Sequence, residues 1–152
     1  SLKEELKHVK SYLLIEETRF VDRLHVHYDV DESALSARIA PLTLQPLVEN
    51  SIKHGIKDQE GGAEITICVR RDKENVNISV ADNGKGIEPM RLRNLGEQSV
   101  TSERGTGVGL YNVNKRLEYM HGKSAKLKVM SEQGKGTTIA FTVPLHEKET
   151  GS

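Results

Sequence analysis

Apolar side chains recur along residues 2–20 in steps of four, three, four and seven, at Leu2, Leu6, Val9, Leu13 and Phe20. This spacing predicts a helix, and its heptad phase is typical of a coiled-coil or bundle seam. It is equally typical of a single amphipathic helix that packs on its own domain. The pattern alone leaves both interpretations open.

The hydrophobic period then changes several times. Alternation predicts strands at residues 24–30, 63–71 and 75–82, the last two joined as a hairpin, and further strands at 125–132 and 137–145. Helical spacing predicts a helix with Thr43 as N-cap and a second helix over 108–122 that ends at Gly122. Residues 88–95 are predicted to form a short helix. This order of elements predicts an α/β two-layer sandwich preceded by an N-terminal helix.

Composition narrows the possible partners. The 22 Lys and Arg residues balance the 22 Asp and Glu residues, and aromatic residues make up only 4% of the chain. A nucleic-acid partner is therefore not expected. Cys68 is the only cysteine, which favours a reducing compartment, and we expect a cytoplasmic location without direct membrane contact.

Glycines cluster at a predicted helix start. In "RGTGVGLYNV", Gly105, Gly107 and Gly109 alternate, so either the backbone turns there or a ligand approaches it closely. The dinucleotide pattern G-x-G-x-x-G fails because Leu110 stands where glycine is needed, and the P-loop pattern fails at Leu117. The polar segment from about Gly96 to Gly109 is long enough for a mobile lid.

A second glycine pair follows a strand, in "VADNGKGI". Val76, Ile78 and Val80 alternate inward, which places Asp82 at the strand's carboxyl end. Asp82–Gly84 could be an ordinary hairpin turn, but no strand pattern follows it. Alternatively, Asp82 could accept a hydrogen bond from a ligand's exocyclic amine while the glycines let a flat ring approach.

The helix "LVENSIKHGI" carries Asn50, Lys53 and His54, and Lys57 follows it directly. These residues are spaced three and four apart, so they share one face. An amide, two ammonium groups and an imidazole suit a polyphosphate and its Mg²⁺, with the Asn50 amide oxygen as a metal ligand. The alternative is an ordinary solvated face with Glu49 and Lys53 as a surface pair.

These elements in this order, followed by "GKGTT", resemble the N, G1, G2 and G3 boxes of the GHKL ATPase superfamily, which includes histidine kinases, gyrase, MutL and heat-shock chaperone ATPases. The resemblance runs from about Pro41 to Pro144. The segments "LKEELKHVKSYLLIEETRF" and "LQPLVENSIKHGI" are similar to LytS/YehU-type sensor histidine kinases.

The resemblance to the superfamily implies a Bergerat-type fold, a mixed and mostly antiparallel sheet with helices on one face. It also implies three regions: residues 1–22 as the tail of a dimerisation region, 23–146 as the catalytic ATP-binding domain and 147–152 as a disordered tail.

The resemblance also implies roles for individual residues. Asp82 would bind the adenine amino group, Thr137 would join that network, and Asn50 would hold Mg²⁺. Glu49, Asn50, Lys53 and His54 are the catalytic candidates. The full set of implied nucleotide contacts is Asn50, Lys53, His54, Lys57, Asp82, Gly84, Gly86, Ile87, Gly105, Thr106, Gly107, Val108, Gly109, Leu110 and Thr137.

One departure bears on the reaction. Hydrolytic members of the superfamily carry a glutamate one helical turn before the asparagine, where this chain has Pro46, which cannot act as a base. The resemblance therefore implies a histidine kinase domain that uses ATP and Mg²⁺, and no "PHF"-type acceptor motif occurs in this chain. The implied partners are its own dimerisation-phosphoacceptor domain in a homodimeric, membrane-anchored parent, and a response regulator.

Two other functions stay open. The chain could be a non-catalytic module whose lid reports nucleotide state to a partner. It could also be a GHKL serine kinase of the anti-sigma type.

Overall fold

The structure, a computed structural model, describes residues 1–20, 23–55, 62–84, 86 and 106–146. Its helices and strands are, in chain order, α1 (Leu2–Arg19), β1 (Leu24–Val30), α2 (Leu44–Gly55), β2 (Ala63–Asp72), β3 (Asn75–Asp82), α3 (Thr106–His121), β4 (Lys128–Glu132) and β5 (Gly136–Pro144). Short 3₁₀ turns occupy Glu32–Ala34 and Lys123–Ala125.

The strands form one sheet in the order β1-β2-β3-β5-β4. β1 and β2 run parallel, whereas the other neighbours are antiparallel, and β2 and β3 form the predicted hairpin. Alternate residues along β2, β3 and β5 are fully buried, including Ile67, Ile78 and Phe141. α2 contacts all three of these strands, so the core lies between the helices and one face of the sheet. The predicted fold class is confirmed.

Helix α1 belongs to this core. Its heptad-phased residues Leu2, Leu6, Val9 and Leu13 are at most 3% exposed, because they pack in the same cluster as the sheet residues. The N–H groups of Leu2 and Lys3, at the start of α1, also donate to the carbonyl oxygens of Ala37 and Leu35. The interpretation of an amphipathic helix packed on its own domain is therefore confirmed, and a dimerisation role stays a prediction.

Thr43 occupies the predicted N-cap position, directly before α2. Its hydroxyl donates to the Ala40 carbonyl oxygen at 2.6 Å, and the Leu44 N–H donates to Glu5 of α1. α3 begins at Thr106 rather than at Val108 as predicted, so Thr106–Gly109 are helical and do not belong to the predicted lid.

Local backbone conformation sets two other boundaries, the end of α3 and the start of β4. α3 ends as predicted before Gly122, whose φ of +89° is accessible to glycine without strain. β4 begins three residues later than predicted, because the 3₁₀ turn at Lys123–Ala125 occupies the expected strand start.

Some predictions fall on other parts of the chain. The short helix at 88–95, the lid residues 96–105 and the tail at 147–152 lie outside the described residues. Within the described ranges, no helix combines the length and apolar character needed to cross a bilayer.

Candidate nucleotide-binding site

The centre of the candidate site is Asp82, the last residue of β3. Because Val76, Ile78 and Val80 point into the core, the alternation of the strand directs Asp82 to the same face, beneath α2. The Gly84 N–H donates to Asp82 Oδ1 at 2.9 Å, and the Ser51 hydroxyl and the Thr137 N–H also hydrogen-bond this residue. The sequence prediction that Asp82 occupies a fixed position at a strand end is borne out by this geometry.

Burial dominates the electrostatics of this carboxyl. Loss of hydration raises the pKa of Asp82 above its ordinary value of 3.8, although the hydrogen bonds from Gly84, Ser51 and Thr137 act in the opposite direction. Fixed donors thus occupy part of a carboxylate that is half-buried. Such a group is a strong acceptor for a further N–H donor, because a desolvated charge interacts more strongly with a donor than a hydrated one does.

Asn50 and Ser51 bring α2 to the same place. Asn50 is 9% exposed and Ser51 only 1%, and Ser51 contacts Asp82 directly. The Asn50 amide oxygen is buried and has no hydrogen-bond partner among the described residues. A buried acceptor without a partner is costly, so it fits a ligand such as a cation or a donor group.

Two of the site's glycines are required by the close approach of the chain to itself. A Cβ on Gly86 would lie 2.3 Å from the Glu132 carbonyl oxygen. A Cβ on Gly136 would lie 2.1 Å from the Asp82 carbonyl oxygen, and the φ of Gly136 is +138°. These glycines therefore let the end of β3 pack against the turn between β4 and β5, which closes one side of the site.

The same turn presents a pair of hydroxyl groups. Thr137 is 6% exposed and lies opposite Asp82 in the ladder between β3 and β5. Its Oγ1 lies 2.9 Å from Ser131 Oγ, and Ser131 Oγ also donates to the Gly136 carbonyl oxygen at 3.0 Å. The hydroxyl of Thr137 is therefore held in a fixed network beside Asp82.

Two other predicted site residues, Glu49 and Lys53, also lie on α2. Glu49 accepts a hydrogen bond from Gln45 Nε2 at 3.2 Å, and its charge, after burial and Glu16, contributes to the raised pKa of Tyr12 in α1. It therefore lies on the side of α2 that faces α1. Lys53 is exposed on α2.

The structure describes the remaining candidates only in part. Leu110 is 2% exposed and belongs to the core, so only its backbone is available to a ligand. Thr106, Gly107, Val108 and Gly109 form the first turn of α3, but their side chains, like that of His54, are outside the description. Lys57, Ile87 and Gly105 lie outside the described residues altogether.

Sequence reasoning missed two residues of this site. Ser51 continues the buried stripe of Leu44, Leu47 and Val48, and a polar residue in an apolar stripe was the available signal. Ser131 became recognisable only through its register opposite Thr137, which the sequence does not specify.

Metal binding by side chains alone has little support in the part of the chain described above. Those residues contain no group of three or more His, Cys, Asp or Glu side chains suited to a metal ion. A Mg²⁺ ion held by one or two protein oxygens together with phosphate oxygens would need no such group.

Comparisons with known proteins agree with this geometry. Residues 39–147 match the family described as "Histidine kinase-, DNA gyrase B-, and HSP90-like ATPase". The sensor protein LytS of Bacillus subtilis (strain 168) is 38% identical over 150 residues, which cover 99% of this chain and 25% of that protein. The chain thus spans about a quarter of the length of such curated relatives. The resemblance to LytS-type kinases is confirmed.

Solved structures share the fold. The catalytic domain of histidine kinase ThkA superposes with a TM-score of 0.69 at 22% identity, covering 94% of this chain and 91% of that one. Full-length ShkA, solved in complex with AMPPNP, gives a TM-score of 0.68 at 19% identity over 95% of this chain and 30% of that one. With its fold, its strand-end aspartate and a match over most of its length, the chain belongs to the family of histidine kinase-, DNA gyrase B- and HSP90-like ATPases.

Proposed function

We propose that this chain is the catalytic ATP-binding domain of a sensor histidine kinase, and that it transfers the γ-phosphoryl group of Mg-ATP to a histidine on a dimerisation domain. The observation that carries the proposal is the Asp82 carboxyl at the end of β3, which is hydrogen-bonded by the Gly84 N–H and by Ser51 of α2, the residue that follows the buried Asn50. The family match and the LytS relatives support ATP as the substrate.

The adenine end of the site is proposed to lie at Asp82. The carboxylate accepts a hydrogen bond from the exocyclic amine, and Thr137 contributes its fixed hydroxyl directly or through water. A purine without that amine leaves the Asp82 oxygen without a partner, so the site discriminates against it. Gly84 and Gly86 line the approach to the ring.

The phosphate end is proposed to lie between α2 and the start of α3. The Asn50 amide oxygen is the candidate Mg²⁺ ligand, because it is buried and lacks a partner among the described residues. When bound, Mg²⁺ neutralises charge on the phosphate oxygens. The first turn of α3 offers backbone N–H groups at a helix N-terminus, which suits the binding of anions, and Lys53 is an exposed cation on α2.

The reaction is proposed to be phosphoryl transfer rather than hydrolysis. An imidazole nitrogen of the acceptor attacks the γ-phosphorus, the bond to the β–γ bridging oxygen breaks, and ADP leaves. Pro46 supplies no base one turn before Asn50, and Glu49 is hydrogen-bonded to Gln45. Among the described residues, the site therefore positions ATP without an evident residue to activate water.

The same proposal assigns this domain its partners and its location in a parent protein. In the parent protein the acceptor histidine belongs to a dimerisation domain, two copies associate, and the phosphoryl group passes to a response regulator. The parent is membrane-anchored and this domain is cytoplasmic. The sensor-protein relatives support this setting.

The proposal is tested by supplying the acceptor separately. The chain is mixed with the dimerisation region of its parent and with ATP labelled at the γ-phosphate. We expect acid-labile label on a histidine of that region and none on this chain. Acid-stable phosphoserine on a partner would favour the anti-sigma type of kinase, whereas nucleotide binding without any transfer would favour the non-catalytic module.

A further inference from the structure

The N-terminus of α2, the helix that carries Asn50, is capped by another helix. Its first turn contains no acidic residue, and Pro46 has no N–H to donate. The hydroxyl of Thr43 donates to the Ala40 carbonyl oxygen. The N–H groups at this end of α2 that have no partner within the helix therefore require an acceptor from elsewhere.

Glu5 of α1 supplies that acceptor. Its Oε1 accepts from the Leu44 N–H at 3.1 Å, and its Oε2 accepts from the Leu42 N–H at 3.3 Å. A carboxylate at this position also interacts favourably with the partial positive charge of the helix N-terminus. The buried leucines of α1 fix the helix against the core, so the position of Glu5 is set by α1 as a whole.

Arg116 of α3 holds the same turn from the other side. Its Nη1 donates to the Pro41 carbonyl oxygen at 3.1 Å, and its Nη2 donates to the Leu42 carbonyl oxygen at 2.9 Å. Leu42 has a φ of +58°, which is unfavourable for a bulky residue, and its side chain is 56% exposed. Its conformation is therefore maintained by contacts of its backbone with Glu5 and Arg116, and not by burial of its side chain.

We propose that Glu5 is a positioning residue for the nucleotide site. It caps α2 and, together with Arg116, fixes the turn at residues 41–43, so that the Asn50 helix keeps its place relative to α3. This inference rests on the proposed function, because it assigns Glu5 an effect on nucleotide affinity. A displacement of α1 then changes the affinity for nucleotide without any contact between α1 and the ligand.

The test compares Glu5→Gln with Glu4→Gln, a matched control whose side chain is 82% exposed. We expect Glu5→Gln to weaken Mg-ADP binding by roughly fivefold and to speed amide hydrogen exchange at Leu44, because a charged cap is lost. Glu4→Gln leaves both unchanged. A merely structural Glu5 would lower the melting temperature but leave the ADP affinity of the folded protein as it was.

A second substitution tests how Glu5 acts. Glycine adopts a φ of +58° without strain, so adding Leu42→Gly to Glu5→Gln should restore most of the lost affinity. If Glu5→Gln fails to fold, Arg116→Gln replaces it, with Lys115→Gln as its control and the same loss expected.

The outcomes separate the two proposals. Wild-type affinity in folded Glu5→Gln, an equal loss in Glu4→Gln, or no recovery with Leu42→Gly overturns the role of Glu5 and leaves the proposed function intact. Failure of the wild-type chain to bind ADP overturns both.

Discussion

At the scale of single residues, the site combines a half-buried carboxyl, Asp82, with the buried Asn50 amide oxygen, which lacks a partner among the described residues. Both residues were predicted from the sequence, because strand alternation and helical spacing indicate where they point. Ser51 was not predicted, because its importance depends on the packing of α2 over the end of β3. Local patterns identify residues on one element, whereas contacts between elements require the tertiary structure.

The raised pKa of Asp82 predicts a stability that depends on pH. Between 3.8 and its raised pKa, the folded state binds more protons than the unfolded state, so the carboxyl makes folding less favourable as pH rises. Asp82→Asn should therefore gain melting temperature relative to the wild type as pH rises above 3.8, measured without nucleotide. Asp72→Asn controls for the loss of a surface charge. An advantage of Asp82→Asn that shrinks with rising pH would contradict the burial of this charge.

Asn50 is predicted to link nucleotide affinity to magnesium. We expect Mg²⁺ to strengthen ADP binding by roughly tenfold in the wild type and by about twofold or less in Asn50→Ala, because the substitution removes the buried oxygen ligand. The measurement is the ratio of ADP affinities with Mg²⁺ and with a chelator. Asn75→Ala, an exposed position at the other end of β3, should behave like the wild type. Equal ratios in all three proteins would exclude Asn50 as the metal ligand.

At the scale of elements, the turn between β4 and β5 explains why glycine recurs near Asp82. The sequence left two explanations open for Gly84 and Gly86, a hairpin turn or the approach of a flat ligand ring. In the structure, Gly86 and Gly136 instead allow the close approach of the protein's own backbone. The contact between the end of β3 and the start of β5 could not be predicted from the sequence, because the two are more than fifty residues apart in the chain.

Two glycines of this turn should respond differently to alanine. Gly136→Ala is expected to lower the free energy of unfolding by about 3 kcal/mol, because its Cβ would collide with backbone and its φ is unfavourable. Gly134→Ala should cost only about 1 kcal/mol, because Gly134 has a positive φ but open space around its Cβ position. Chemical denaturation measures both values. Equal losses would show that strain in φ, and not the collision, dominates at Gly136.

At the scale of the whole molecule, α1 is continuous with the core of the ATP-binding fold. The heptad phase of α1 was compatible with a coiled-coil seam as well as with this packing, and only the buried cluster distinguishes them. Through Glu5 the same helix also reaches the N-terminus of α2. In the structure α1 therefore packs in the same core as the sheet, whereas its assignment to the tail of a dimerisation region stays a prediction.

Adjacent leucines of α1 provide a test of that packing. Leu13 is fully buried and Leu14 is 65% exposed. Leu13→Ala should destabilise the protein by about 3 kcal/mol through loss of buried contacts, whereas Leu14→Ala should change stability by less than about 0.5 kcal/mol. Denaturant titration of both variants gives the comparison. A larger loss for Leu14→Ala would mean that the opposite face of α1 is packed.

The central claim is that Asp82 recognises adenine nucleotide in this fold, and calorimetric titration with Mg-ADP tests it most directly. The wild type and Asp72→Asn should bind one ADP per chain with equal affinity, because Asp72 lies at the opposite end of the hairpin. Asp82→Asn should bind roughly ten to a hundred times more weakly, since a hydrogen bond to a charged group contributes about 1.5–3 kcal/mol. Unchanged binding in Asp82→Asn, or no binding by the wild type, would contradict the account.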